Sequence, residues 1–166
     1  MRRSRKTTAD PDKAADPQAV RSAAVALLAG RDFASGELRE KLESKGYDTA
    51  VVAEAVAELV EGKILDDVRY AEHYVAYHAD RGQGPVRIAA DLKSLGLPSE
   101  LIDAALASGP SWLSIAREVR IRKFGLTIPD TWAEKGRQAR FLQYRGFSSD
   151  HIRAALGGDF DPDGTS

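Results

Sequence analysis

The 166-residue sequence contains no cysteine, only one methionine and few aromatic residues. Without cysteine the chain forms neither disulfides nor thiolate metal sites, which fits a reducing compartment. No stretch approaches the ~18 apolar residues that a transmembrane helix needs. The basic opening, Met1–Lys6, is not followed by an apolar segment and does not resemble a secretory signal. We therefore expect a cytoplasmic protein that makes no use of a membrane.

What the sequence does contain is an internal repeat with a period of fifty residues. The clearest residues in register are Leu42, Leu92 and Leu142, followed by Gly46, Gly96 and Gly146. A fixed period of this length indicates tandem copies of one supersecondary unit, and such arrays present extended binding surfaces. Each glycine supplies the left-handed backbone conformation that ends a helix.

Capping and turn residues divide each copy into three helices. Asp16-Pro17, Ser35, Asp48, Asp66-Asp67 and Ser148 are predicted to begin helices, and Thr131 with Glu134 forms a predicted capping box. Only Leu126–Ile128 is prone to form a strand, and Pro129 interrupts it. The prediction is an all-α fold: an elongated tandem array of three three-helix repeats with nine main helices, each repeat resembling a helix-turn-helix unit.

The expected segments follow from these signals. They are a disordered basic tail (1–16), repeat 1 (17–65), repeat 2 (66–109), repeat 3 (110–157) and a disordered acidic tail (158–166). Net charge is unevenly distributed, since residues 111–156 contain nine basic and four acidic side chains while residues 66–110 contain four and seven. The third repeat is therefore the basic one, and a basic surface favours an anionic partner.

No pattern predicts catalysis. His73 and His78 are five residues apart on one predicted helix and do not share a face. The pair Asp66-Asp67 is interpreted as helix capping, and Gly82–Pro85 lacks the features of a phosphate-binding loop. We expect no enzymatic activity, no cofactor and no metal site.

Basic side chains interleaved with aromatic ones are the remaining candidates for function, because cations neutralise phosphates and aromatic rings stack on unpaired bases. The candidate residues for binding a partner or DNA are Arg81, Arg87, Arg120, Arg122, Lys123, Lys135, Arg137, Arg140, Tyr144 and Arg145. Phe141 and Phe147 occupy core positions of the repeat and are expected to pack inside. The alternative is that the arginines are solvated or pair with Glu118 and Glu134, each pair contributing at most ~1 kcal/mol.

Several motifs, in order, resemble those of the bacterial RecX family. They are the segments Leu27–Phe33 with Glu37-Leu38, Leu65–Ala71, Arg81–Ile88, Lys123–Gly125 and Phe141–Phe147. The resemblance covers about residues 18–157. It departs from the family pattern at Tyr144, where a basic residue is expected, and at Gly30, which replaces a residue that is often basic.

The resemblance implies a regulatory protein of recombination, DNA repair and the SOS response. Proteins of this family bind the RecA recombinase, above all its filament on single-stranded DNA, and inhibit or modulate ATP hydrolysis, strand exchange and coprotease activity. The implied partners are the RecA filament and, in addition, single- or double-stranded DNA. We expect the protein to be a monomer. The residues alone leave a second hypothesis open, a helical-repeat protein that acts on nucleic acid directly, and a weaker third, a generic scaffold.

Overall fold

The computed structural model describes residues 8–158. Within that range the chain forms nine α-helices, one short 3-10 helix (Pro11–Lys13) and no strand, which confirms the predicted all-α fold. The helices are α1 (Pro17–Gly30), α2 (Ser35–Ser44), α3 (Thr49–Glu61), α4 (Asp67–Asp80), α5 (Pro85–Ser94), α6 (Ser99–Ala107), α7 (Trp112–Phe124), α8 (Trp132–Tyr144) and α9 (Ser149–Ala155). No helix in this range is long and apolar enough to cross a membrane.

Most predicted caps are present. Asp16, Asp48, Thr131 and Ser148 each accept a hydrogen bond from a first-turn backbone N–H. Ser111, which was not among the predicted caps, does the same at α7. The predicted capping box at α8 is only half formed. Thr131 accepts from the Glu134 N–H, but the Glu134 carboxylate accepts hydrogen bonds from Arg137 and Gln138 instead of returning to Thr131.

The predicted cap Ser35 is wrong, because Ala34 is the N-cap and Ser35 is the first residue of α2. The Asp67 carboxylate accepts hydrogen bonds from both the backbone N–H and the hydroxyl of Ser35. Asp66 accepts from the Arg69 N–H and so caps its own helix, α4. The two adjacent aspartates therefore serve the N-termini of two different helices, where a negative charge is stabilising.

The predicted helix-ending glycines have the required backbone. Gly46, Gly96 and Gly146 have φ angles of 99°, 86° and 95°. A residue with a Cβ is strained at such positive φ angles. The glycine therefore recurs in the sequence because the chain reverses direction between two helices at the same place in each repeat.

The chain divides into two compact units. Unit 1 contains the described residues up to Tyr70 together with Leu95–Leu97, and unit 2 contains 71–94 and the described residues from 98 onward. The core of unit 1 consists of Val20, Ala24, Phe33, Leu38, Leu42, Val52, Ala55, Val56 and Leu65. A core of unit 2 consists of Ala116, Val119, Ala139, Leu142, Phe147, Ile152, Ala155 and Leu156.

The described part of the expected N-terminal tail is folded. The backbone N–H of Ala9 donates to the Lys45 carbonyl at 2.7 Å, and that of Asp48 donates to the Ala14 carbonyl at 2.8 Å. Residues 8–16 therefore pack on the turn between α2 and α3, so the prediction of disorder does not hold for them. Residues 1–7 and 159–166, the rest of the two predicted tails, lie outside the described residues.

Two turns of unit 2 meet through their backbones. The N–H of Gly84 donates to the Arg145 carbonyl at 2.8 Å, and the N–H of Val86 donates to the Gly146 carbonyl at 2.9 Å. A Cβ on Gly84 would lie 2.3 Å from the carbonyl carbon and oxygen of Gly146. This junction, which we call the glycine junction, holds the turn before α5 against the turn after α8.

Gly84→Ala is therefore expected to lower the free energy of unfolding by about 2–3 kcal/mol, because the methyl group has only backbone atoms to displace. Urea unfolding of the full chain measures this change. Gly30→Ala is the matched control, since nothing lies within 4 Å of a Cβ at that position. It should change the free energy of unfolding by less than about 1 kcal/mol. Equal effects of the two substitutions would contradict the role of the junction.

Candidate functional site

A small cleft in unit 2 gathers four of the predicted site residues. The cleft has a volume of about 130 Å³ and is lined by Arg81, Gly82, Val119, Arg122, Lys123, Phe141 and Arg145. Four of the seven lining residues are cations and none is a carboxylate. We call this arrangement the basic cleft.

Arg122 and Lys123 come from the last turn of α7. Cations are favoured there because the unpaired carbonyls at a helix C-terminus carry partial negative charge. Both side chains are exposed, and the Lys123 Nζ lies 5.8 Å from the centre of the Phe141 ring. The helix end thus presents two charges beside an aromatic wall.

Arg81 and Arg145 come from the two turns that the glycine junction joins. The Arg81 guanidinium lies 3.4 Å from the centre of the Tyr77 ring and donates to the Tyr77 carbonyl at 3.1 Å. Arg145 donates to the Arg81 carbonyl at 3.4 Å, and its guanidinium lies 5.4 Å from the centre of the Phe141 ring. Contacts with aromatic rings and carbonyls orient both cations without neutralising them.

Gly82 sets the width of the cleft. Its φ angle is +75°, and a Cβ there would lie 2.8 Å from Val119 Cγ2. The turn after α4 therefore approaches α7 more closely than a residue with a side chain would allow.

The four cleft cations form no ion pair within the part of the chain that the structure describes. Positive charge concentrated in this way attracts an anion, and guanidinium groups match the geometry of phosphates and carboxylates. The cleft is thus suited to binding a phosphate or carboxylate group of a larger partner.

Arg120 is a correction to the predicted site. It is only 2% exposed and donates to the carbonyls of Gly125, Leu126 and Thr127. Burial lowers the pKa of its guanidinium. Arg120 therefore holds the loop between α7 and α8 in place and is not available to a partner.

The candidates on α8 lie outside the cleft lining. Arg137 pairs with Glu134 at 2.9 Å, and this hydrogen-bonded pairing raises the pKa of Arg137 and lowers that of Glu134. Arg140 is exposed, and Lys135 is partly buried. For Arg137, the expected alternative of a surface pair with an acid is confirmed.

Arg87 and Tyr144 also lie outside the cleft lining. Gly146 packs closely on the first turn of α5, since a Cβ on Gly146 would lie 2.3 Å from Arg87 Cβ. Tyr144 is 79% exposed. Phe147 is buried in the core as predicted, whereas Phe141 packs against that core and also lines the cleft.

The histidines have structural neighbours. His78 stacks on Tyr74 with ring centres 4.1 Å apart, and His151 Nδ1 lies 2.8 Å from the Ser148 hydroxyl. Among residues 8–158, no three His, Asp or Glu side chains are grouped to hold a metal.

Sequence reasoning missed the walls of the cleft, Gly82 and Val119. It named Glu118 only as an acid that could pair with an arginine, and it missed Asp80; both carboxylates line an adjoining depression. The segment Arg81–Pro85 contained a usable signal, because two glycines so close together indicate a tight approach of backbone to another element.

Arg120→Met is expected to lower the free energy of unfolding by about 2–3 kcal/mol, since it leaves three carbonyls without their charged donor. Thermal or urea unfolding measures the change. Arg122→Met, two residues further along the same helix, is the matched control because Arg122 is exposed. A midpoint for Arg120→Met equal to that of the control would contradict the bracing role.

Each of the three repeats matches a known protein-domain family. Models of the first, second and third three-helix domains of RecX match residues 21–59, 66–106 and 113–156. The crystal structure of RecX from Lactobacillus salivarius superimposes with a TM-score of 0.74 at 20% sequence identity, over 85% of this chain and 94% of that one. This likeness shows the same fold.

Sequence relatives are closer. The regulatory protein RecX of Halorhodospira halophila is 45% identical over 139 residues, which cover 83% of this chain and 86% of that protein. The regulatory protein RecX of Ectopseudomonas mendocina is 41% identical over 144 residues, covering 86% and 96%. With three consecutive domain matches and identity at this level over most of its length, the chain belongs to the RecX family of regulatory proteins.

Proposed function

We propose that this protein binds the RecA recombinase and its DNA filament and restrains recombinase activity, including ATP hydrolysis, strand exchange and coprotease function in the SOS response. The observation that carries the proposal is membership of the RecX family through all three of its helical domains. In this proposal the protein is a cytoplasmic monomer that acts by binding, without catalysis of its own and without a cofactor.

The basic cleft is the proposed contact for the filament. A cleft of about 130 Å³ is lined by four cations, Arg81, Arg122, Lys123 and Arg145. A recombinase–DNA filament offers both phosphates and carboxylates. The cleft cations form no ion pair among the residues that the structure describes. They therefore gain more electrostatic free energy from such groups than Arg137, whose charge is already partly satisfied by Glu134.

A second candidate function is direct binding to nucleic acid without the recombinase. The cleft cations adjoin the ring of Phe141, and Tyr144 is highly exposed on α8. Cations beside aromatic rings are typical of surfaces that bind single strands.

Co-sedimentation separates the two functions. The protein is mixed with recombinase filaments on single-stranded DNA, with recombinase alone and with DNA alone, over a series of salt concentrations. We expect it to pellet with the filament at salt concentrations that abolish its binding to DNA alone, because contacts with phosphates weaken linearly in the logarithm of salt concentration. The same affinity and salt slope for filament and naked DNA would instead support the second function.

Arg122→Glu combined with Lys123→Glu is expected to weaken inhibition of recombinase ATP hydrolysis at least tenfold, because it reverses two of the four cleft charges. Helicity by circular dichroism and the unfolding midpoint should stay nearly unchanged, since both side chains are exposed.

The comparison variant is Arg137→Glu combined with Arg140→Glu, which makes the same change of charge on α8 outside the cleft. We expect less than a threefold loss of inhibition from it. A larger loss from the α8 variant than from the cleft variant, at matched salt, would place the contact on α8 instead.

A further inference from the structure

The basic cleft is one end of a longer groove. A depression of about 350 Å³ shares Gly82, Val119 and Arg122 with the cleft. A further depression of about 420 Å³ shares Ala76 and Pro110 with that one. The three depressions follow one another along α4 and the turn after it, all within unit 2, and we call them together the α4 groove.

Part of the lining of the α4 groove is apolar, and we call this part the floor. It is formed by Val75, Ala76 and Ala79 of α4, by Pro110 and by Ile115 and Val119 of α7. Gly109 lies close to this floor, since a Cβ on Gly109 would lie 3.1 Å from Val75 Cγ1. A floor of this kind gains free energy by covering apolar side chains of a partner.

The walls of the groove change sign along its length. Glu72 lines the far depression, Asp80 and Glu118 line the middle one, and the four cations line the cleft at the near end. A nucleic-acid strand carries a negative charge on every phosphate. A strand lying along the groove would therefore bring phosphates against three carboxylates and would leave the apolar floor unused.

A polypeptide segment can complement the cations, the apolar floor and the carboxylates of the groove together, because one peptide can contain anionic, apolar and cationic side chains. We propose that the α4 groove binds an amphipathic segment of the recombinase, with carboxylates in the basic cleft, apolar side chains along the floor and a cationic side chain beside Asp80 and Glu118. This inference rests on the proposed function and specifies which component of the filament the site recognises: protein instead of DNA.

The first test fills the groove without changing its charge. Ala76 is exposed and lines both of the larger depressions. Ala76→Trp should weaken binding to recombinase filaments at least tenfold while leaving affinity for a single-stranded thymidine oligonucleotide within twofold of wild type. Ala90→Trp is the control, since Ala90 is exposed on α5 and lines none of the three depressions.

The second test changes charge and does not depend on how well the tryptophan variant folds. Glu118→Lys should weaken filament binding at least fivefold and at the same time strengthen binding to the oligonucleotide, because the added cation repels the partner's cationic side chain and attracts phosphates. Asp103→Lys, an exposed change of the same sign on α6, should leave filament binding within twofold.

The outcomes are distinct. Opposite effects of Glu118→Lys on the two ligands, with selective loss in Ala76→Trp, support a polypeptide in the groove. If filament and oligonucleotide affinities change together in both variants, nucleic acid is the occupant and the inference is wrong. If neither variant alters filament binding, the groove is not the contact, although the proposed function stands. Only failure of the wild-type protein to bind the filament would overturn both.

Discussion

Unit 2 depends on a backbone contact that only glycine permits. Gly84 and Gly146 lie so close that a single added carbon on either would overlap main-chain or Cβ atoms of the other turn. The two hydrogen bonds across this junction join the segment that contains Arg81 to the segment that contains Arg145. A related approach occurs inside unit 1, where a Cβ on Gly36 would lie 3.1 Å from the Leu95 carbonyl oxygen. Glycines in this protein therefore have two uses: they reverse the chain between helices, and they let separate turns come into contact.

The basic residues of the third repeat lie in different surroundings, so they have different roles. Arg120 is buried and binds three loop carbonyls. Arg137 pairs with an acid one turn away on its own helix. At the end of α7, Arg122 and Lys123 form no ion pair with any of residues 8–158. A count of basic residues pointed to the third repeat, but the energetics of a partner contact depend on which cations are still unsatisfied, since a paired charge has less to gain from a ligand.

The carboxylates give the proposed groove a physical basis for selectivity. An entirely basic groove would attract any polyanion and would lose its affinity steeply with salt. Asp80 and Glu118 beside an apolar floor oppose that behaviour. A partner must then match a pattern of charge and hydrophobic contact instead of total charge, which is the usual basis of specificity between proteins.

The sequence by itself determined the local structure, because local rules govern it. Periodic apolar residues, capping side chains and register glycines specify where helices begin and end, and all nine expected helices are present among residues 8–158. Among the predicted capping residues, Ser35 and Glu134 were the exceptions, because each makes a side-chain contact that the local sequence pattern does not indicate. Ser35 contacts Asp67, which is distant in sequence, and Glu134 contacts Arg137 and Gln138. Only tertiary structure decided which basic residues converge. Arg81 and Arg145 are 64 positions apart in the chain, and their proximity results from the glycine junction, while burial of Arg120 depends on the path of the loop that it binds. Local sequence limits the conformations of each turn, but the distance between two turns is set by the packing of everything that lies between them.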